Sequence, residues 1–386
     1  MYKVKLMNKI SPIGLDKFDE NYEYGEDLTN EDAILLRSAS LHEYDFGKSV
    51  KAIARAGAGV NNIPIEKCSE KGIVVFNTPG ANANAVKELV ICALLMSSRR
   101  VVESIEWINS LADDENVAKT AEKGKSNFVG PEIEGKRLGV IGLGAIGVNV
   151  ANAAVKLDMQ VYGYDPFMSV NSAWALSKHV KQAADMDEIF KTCDYVTIHV
   201  PSTKDTRGMV NKEKLDMMKD GARLLNFARG DLVVVDDIVE AVQSGKLGKY
   251  VTDFADQKLI GKENIIVFPH LGASTPESED NCAKMAVKEI RDFLENGNIT
   301  NSVNFPRCVQ ARESKVRVCI TNRNVPNILA RISKLFADHN LNIENMVNRS
   351  KGDYSYTLID TNSDVRQDII DRIEAADGII NVRVIK

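Results

Sequence analysis

RLGVIGLGAIGVNV, residues 137–150, decides the fold. Leu138–Ile141 is a short apolar run of the kind that forms a buried strand, and from Ile146 to Leu157 the apolar residues return at helical spacing. Between them stand Gly142, Gly144 and Gly147. The three glycines play different parts. The first permits a tight turn, the second lets backbone approach a pyrophosphate, and the third lets the helix pack on the strand. A phosphate then rests on the helix N-terminus, where free N–H groups and the helix dipole favour negative charge. Glycine-rich turns recur in many loops, so the context matters. The next strand, Val161–Tyr164, ends in Asp165, eighteen residues beyond Gly147, where a carboxylate accepts hydrogen bonds from the adenosine ribose hydroxyls. The same carboxylate repels a 2′-phosphate, so NAD is expected rather than NADP.

Outward from this unit the alternation continues in both directions. Upstream, Ala33–Leu36, Lys51–Ala56 and Ile73–Phe76 read as strands, Pro64–Lys71 as a short helix with Pro in its first turn, and Ala83–Ser98 as a long helix. Downstream, Tyr195–Val200, Ala222–Phe227, Tyr250–Thr252 and Ile265–Phe268 read as strands, followed by a helix over Glu277–Asn296 that stops at Gly297. Strands alternating with helices predict two α/β units in series, each a doubly wound, Rossmann-like parallel sheet. Asn298–Ser314 carries Pro306 and little periodicity and reads as a linker. Beyond it the order is βαββαβ: Lys315–Thr321, Pro326–His339, Leu341–Arg349, Tyr354–Asp360, Val365–Ala375 and Ile379–Ile385. That order is the split βαβ pattern of a small ferredoxin-like domain.

Composition narrows the function classes. The 386 residues suit two or three domains, and a formal net charge of −5 leaves no basic surplus for a phosphate backbone, against nucleic acid as a partner. The N-terminus lacks the apolar core of a signal peptide, and the longest apolar run, Leu89 to Met96, is too short to span a bilayer. Six scattered cysteines without a CxxC pair read as reduced thiols, with no structural metal, in a cytoplasmic setting.

Three segments sit at predicted strand ends, where ligands of open α/β sheets gather: HVPSTKDTRGMVN (199–211), NFARGDLV (226–233) and FPHLGAST (268–275). Arg229 leaves its strand into Gly230, so its guanidinium could meet a substrate carboxylate through two parallel bonds. His270 follows Pro269 and could act as a general base near neutral pH. Taken singly, a strand-end Arg is more often a surface ion pair, and a lone His more often a structural donor; their joint placement beside a nicotinamide site favours catalysis.

GLGAIG, YDP, HVPSTKDTRGMVN, NFARGDLVVVD and PHLGAST occur in the order and approximate spacing of the D-2-hydroxyacid dehydrogenases, and the resemblance covers nearly all of residues 30–305. It implies that Arg229 binds the substrate carboxylate and carbonyl and that His270 exchanges the hydroxyl proton. It further implies that Asp253 lies at the nicotinamide end, with Ala145, Ile146, Phe227 and Ala228 lining the dinucleotide beside the three glycines. The family arrangement implies a substrate-binding lobe from residues 1–98 and 285–305, an NAD-binding domain over 99–284, a linker over 306–314 and a regulatory domain over 315–386. The helices at 83–98 and 277–296 would form its hinge. In one respect the chain departs from the family, which usually places a Glu-Pro five residues past Asp253, where its carboxylate pairs with the catalytic His. Lys258 stands there, and Asp256 is the nearest carboxylate. Without a paired carboxylate, the oxidation profile is expected to extend to lower pH than in relatives that keep the Glu.

The family includes lactate, glycerate, formate and phosphoglycerate enzymes. Arg37-Ser38 in LLRSAS resembles the substrate-lobe Arg-Ser of the members acting on 3-phosphoglycerate, where an Arg and a hydroxyl suit a phosphate, although an exposed strand-end Arg is the plainer alternative. Asn82 matches the substrate-loop Asn of the family. The C-terminal βαββαβ resembles an ACT domain, a small-molecule sensor; Asn342 stands at a position that contacts an amino-acid effector, usually serine. There the chain departs twice, with Asn327 where Gly usually follows Pro326, and no His among Ile320, Thr321 and Asn322. The leading expectation is NAD-dependent oxidation of 3-phospho-D-glycerate by a homodimer or homotetramer. A glyoxylate or hydroxypyruvate reductase, and an NAD-sensing binding module, are the alternatives.

Overall fold

The computed structural model describes all residues from Met1 to Lys386 and divides into two compact units. One comprises Met1–Asn82 with Pro276–Lys386, the other Ala83–Thr275.

In the first unit, β1 (Tyr2–Leu6), β2 (Tyr22–Gly25), β3 (Ala33–Leu36), β4 (Ala52–Arg55) and β5 (Val74–Phe76) form a parallel sheet of order β2-β1-β3-β4-β5. Side chains alternate across a strand, and here both faces are apolar. Ala33, Leu35, Ala52, Ala54, Val74 and Phe76 enter one core, while Ile34, Leu36, Ile53 and Val75 enter the other. Helix Pro276–Asn296 covers the first of these faces with Ala283, Ala286, Val287, Ile290 and Phe293. Strands β1 and β2 were not expected from the sequence. β1 buries only Val4 fully and carries Lys3 and Lys5, and β2 is an edge, so neither presents the apolar run that marks a central strand.

The second unit holds β6 (Arg137–Ile141), β7 (Gln160–Tyr164), β8 (Lys181–Gln182), β9 (Tyr195–Ile198), β10 (Ala222–Asn226), β11 (Leu247–Thr252) and β12 (Ile265–Val267). Their order, β12-β11-β10-β9-β6-β7-β8, is that of a dinucleotide-binding sheet extended by one strand. Its two faces again feed separate cores, Val196, Ile198 and Leu224 on one side, Leu138, Val140 and Leu225 on the other.

Division between the units falls at different places from those expected. Helix Ala83–Ser98 buries Val86, Val90, Ala93 and Leu94 against Val140 and Ala151, so it belongs to the second unit rather than to the substrate lobe. Helix Pro276–Asn296 lies wholly in the first. Periodicity shows that both helices bury a face; which core receives it is a tertiary matter.

The C-terminal strands β13 (Val316–Arg323), β14 (Asn345–Lys351), β15 (Tyr354–Thr361) and β16 (Ile379–Ile385) form an antiparallel sheet of order β14-β15-β13-β16, as the split βαβ reading requires. Helices Ile328–Asp338 and Gln367–Glu374 cover one face. The other face contributes Cys319, Tyr356, Leu358 and Ile385 to the same core as Phe76, Phe293 and Phe305. The segment expected as a linker is accordingly packed, not loose. Phe305 and Cys308 are buried, and Ile299 and Cys308 exchange two backbone hydrogen bonds of 2.8 and 2.9 Å. None of the six cysteines is in a disulfide; five are buried and Cys92 is exposed. No helix is long and apolar enough to cross a membrane.

Candidate active site

Because β6 to β12 run parallel, all their carboxyl ends share one edge of the sheet, and the expected residues of this unit fall there. β6 leads into Gly142, β7 into Asp165, β10 into Phe227, Ala228 and Arg229, β11 into Asp253, and β12 into the segment bearing His270.

The glycine loop has the geometry its spacing requires. Gly142 has φ +94°, and a Cβ there would lie 2.7 Å from the His199 carbonyl oxygen. A Cβ on Gly147 would lie 1.8 Å from the Gly142 carbonyl oxygen, so the helix starts in contact with its own turn. At Gly144 a Cβ would meet nothing within 4 Å. Gly144 caps helix Ala145–Lys156, so the open space lies before free backbone N–H groups, including those of Ala145 and Ile146. Asp165 accepts from Leu143 N and Phe167 N, each at 2.8 Å, which ties the strand-end carboxylate to the loop. Beside it a cavity of about 640 Å³ is lined by Leu143, Gly163, Asp165, Met168 and Leu176. These features fit a dinucleotide, with pyrophosphate at Gly144 and ribose at Asp165. His199, unassigned from sequence, is half-buried; its Nε2 lies 3.0 Å from Thr197 Oγ1, and desolvation lowers it to about 3, so it stays neutral.

Asn226 shapes the Arg229 turn and was missed in the sequence. Fully buried at the end of β10, it donates from Nδ2 to the Arg229 carbonyl at 2.9 Å and accepts from Ala228 N at 3.2 Å. Thr252 Oγ1 donates to the Asn226 carbonyl at 2.8 Å and accepts from Phe254 N, linking the turns after β10 and β11. Its only sequence signal was an amide at the point where an apolar strand meets a glycine-bearing turn. Arg229 itself is exposed, with Nη1 donating to Ala228 O at 2.7 Å.

Asp253 is buried, accepts from Gly272 N at 3.1 Å through Oδ2, and leaves Oδ1 without a partner. Burial raises its carboxyl above the usual value, while the Gly272 N–H and the charges of His270 and Arg229 act in the opposite direction. Its influence therefore reaches both catalytic candidates. His270 is exposed and faces the Phe254 ring, centroids 5.0 Å apart; no ion pair joins it to a carboxylate. Asp256 is not its partner: Oδ1 accepts from Lys258 N at 2.8 Å, and Lys258 Nζ pairs with both oxygens of Asp236 at 2.7 and 2.8 Å.

Arg37, Ser38 and Asn82 belong to the first unit. Arg37 leaves the carboxyl end of β3, and its Nη1 pairs with Glu279 Oε1 at 2.7 Å. The turn is held by Asn8 Oδ1, which accepts from the backbone N–H groups of Arg37, Ser38 and Ala39 at 3.1, 3.1 and 2.8 Å. Arg55, at the end of neighbouring β4, donates from Nε to the Arg37 carbonyl at 2.9 Å, so two guanidiniums share this sheet edge. Arg55 was overlooked because RAGAG reads as a simple strand-to-turn exit. Asn82 keeps a buried Oδ1 without a partner. Asn342, the expected effector residue, donates to Glu344 at 3.0 Å, and Asn327 supplies at φ +65° the left-handed residue that Gly usually provides.

Residues 91–272 match the family model described as D-isomer specific 2-hydroxyacid dehydrogenase, NAD binding domain, and residues 317–378 match the ACT domain. A D-3-phosphoglycerate dehydrogenase from Methanocaldococcus jannaschii is 31% identical over 81% of this chain, which spans 59% of that protein. A hydroxypyruvate reductase from Thermotoga maritima is 35% identical over 71% of this chain and 88% of its own length. The solved NAD+-bound 3-phosphoglycerate dehydrogenase of Entamoeba histolytica superposes with a TM-score of 0.62 at 27% identity, covering 78% of this chain and 98% of that one. The chain thus spans about three fifths of the length of the first curated phosphoglycerate dehydrogenases it matches. Motif order, sheet topology and these likenesses agree: the chain belongs to the D-isomer specific 2-hydroxyacid dehydrogenase family, with the family's NAD-binding domain in its second unit and an ACT domain closing its first.

Proposed function

We propose that this protein oxidises 3-phospho-D-glycerate at C2 with NAD, the step that commits carbon to serine. The observation carrying the reading is the convergence of Arg229, Asp253 and His270 on the carboxyl ends of three adjacent strands, on the same sheet edge as the glycine loop. When bound, NAD supplies a nicotinamide that accepts the hydride. The chain supplies the remainder. Arg229 holds the substrate carboxylate through two parallel bonds, in an orientation set by Asn226. The imidazole of His270 takes the hydroxyl proton. Asp253 fixes the Gly272 backbone two residues beyond His270 and provides a buried negative field there. Arg37 and Ser38, with Arg55 beside them, receive the phosphate, and Asn82 lies on the substrate loop.

Similarity to phosphoglycerate dehydrogenases over about four fifths of this chain supports the substrate. The hydroxypyruvate reductase likeness, over 88% of that protein, favours the second reading, in which no phosphate is bound. The ACT domain supports an amino-acid effector, serine first, at Asn342; we further propose a cytoplasmic homo-oligomer. NADH production from NAD with 3-phosphoglycerate, D-glycerate and D-lactate in parallel tests the assignment. A preference for the phosphorylated acid, reduced at least about ten-fold in kcat/KM by Arg37→Ala, is expected. Equal rates with D-glycerate would favour the reductase, and no turnover in either direction would favour an NAD-sensing module.

A further inference from the structure

The Arg37 side chain is already engaged. Its backbone is immobilised on both sides: Asn8 Oδ1 gathers three successive N–H groups, and the Arg37 carbonyl accepts from Arg55 Nε at 2.9 Å and Asn62 Nδ2 at 3.3 Å. Only the side chain can move, and its guanidinium meets the Glu279 carboxylate at 2.7 Å, with both side chains close to half exposed. Glu279 sits in the first turn of helix Pro276–Asn296, where the dipole favours acids and the helix holds its Cα in place. Two anchored backbones thus present one cation and one carboxylate to each other. The bidentate face a guanidinium offers a carboxylate is the same face it offers a phosphate.

We propose that Glu279 is an internal competitor for Arg37 that sets the selectivity of the site for phosphorylated over unphosphorylated hydroxy acids. A phosphorylated acid must displace the Glu279 carboxylate to reach the guanidinium, and it meets Glu279's charge while doing so. An acid without phosphate leaves the pair intact and binds at no such cost. Glu279 therefore weakens the first class of ligand selectively, and it acts through Arg37 without touching the reacting atoms. This inference rests on Arg37 being the phosphate-binding group of the proposed reaction. Glu277 provides the control: it is acidic, lies in the same first helical turn and pairs with no cation.

The test is steady-state kinetics on the full chain with Glu279→Gln and Glu277→Gln. Glu279→Gln keeps the size and hydrogen-bonding capacity of the side chain and removes its charge. It is expected to lower KM for 3-phosphoglycerate about three-fold, roughly what release from one exposed ion pair allows, with kcat and the KM for D-glycerate unchanged. Inorganic phosphate, as a competitive inhibitor, should show a Ki lowered by a similar factor, and Glu277→Gln should move neither quantity. An unchanged phosphate Ki, an equal shift for D-glycerate, the same shift in Glu277→Gln, or no inhibition of either form by phosphate would overturn the proposal. If unphosphorylated acids prove the better substrates, the substrate assignment fails, and the phosphate Ki still decides whether Glu279 competes for Arg37.

Discussion

At the residue scale the glycine loop separates roles that a motif leaves merged. Gly147 is a packing residue, because a Cβ there would strike the Gly142 carbonyl, whereas Gly144 faces open space before the helix N-terminus. Gly147→Ala should therefore lower the melting temperature by several degrees and reduce folded yield. Gly144→Ala should leave melting nearly unchanged and weaken NAD binding by about ten-fold or more, measurable by calorimetric titration. Glu289 is a second residue with a definite expectation. Buried in helix Pro276–Asn296, it accepts from Asn301 Nδ2 at 2.6 Å, has one oxygen without a partner, and is pushed by burial to about 8. The folded state thus holds a proton that the unfolded chain releases near 4.5. Stability from this group is complete below that value and falls as pH rises toward 8. Glu289→Gln should accordingly match the parent at pH 5 and gain on it by about 3 kcal/mol at pH 8 in urea unfolding; a constant difference would contradict the assignment.

At the element scale, the C-terminus of helix Pro276–Asn296 is closed by side chains. Arg383 donates to the carbonyls of Phe293 and Leu294 at 2.6 and 3.0 Å, Arg312 to Glu295 at 3.3 Å, Arg317 to Asn296 at 2.8 Å, and Tyr356 to Gly297 at 2.7 Å. Three cations at the negative end of a helix dipole add to the effect of the hydrogen bonds. Arg317 has all five N–H groups occupied, two by Asp360 and the others by the carbonyls of Asn296, Gln310 and Ala311, in a wholly buried pair. Removing one partner of such a pair leaves a charge in an apolar core, so Arg317→Met should cost about 3–5 kcal/mol of unfolding free energy. Adding Asp360→Leu should recover much of it, and a double-mutant cycle showing simple additivity would argue against the coupling.

For the whole molecule, the ACT sheet is one wall of the core of the first unit. Tyr356 and Leu358 pack with Phe76 and Phe293, and Arg383 lies over the Phe293 ring at 4.3 Å. The ACT sheet and the five-stranded sheet should therefore unfold in a single cooperative step. Calorimetry is expected to show one transition for them, and removal of residues 315–386 should expose that apolar face and produce aggregation. A separate low-temperature ACT transition would show that the shared core is energetically unimportant.

Much of this architecture was legible in the chain itself, because it depends on local chemistry. Helix Ala83–Ser98 and the glycine fingerprint follow from side-chain period and from the conformations glycine alone adopts, both set by covalent structure. Arg229 and His270 were legible as strand-end residues and Asp253 through the family resemblance, and the parallel sheet necessarily brings such ends to one edge. Other features required the folded molecule. The sequence carries the two helices at the division between units but not the cores that receive their apolar faces. It carries a Lys where the family resemblance led to the expectation of a Glu, but not the pairing of Lys258 with Asp236 and of Asp256 with a backbone amide. It carries Arg37 and Glu279, 242 residues apart, but not their contact. Partners so distant in the chain have no common period to betray them; only packing, which satisfies charge and apolar surface together, selects them.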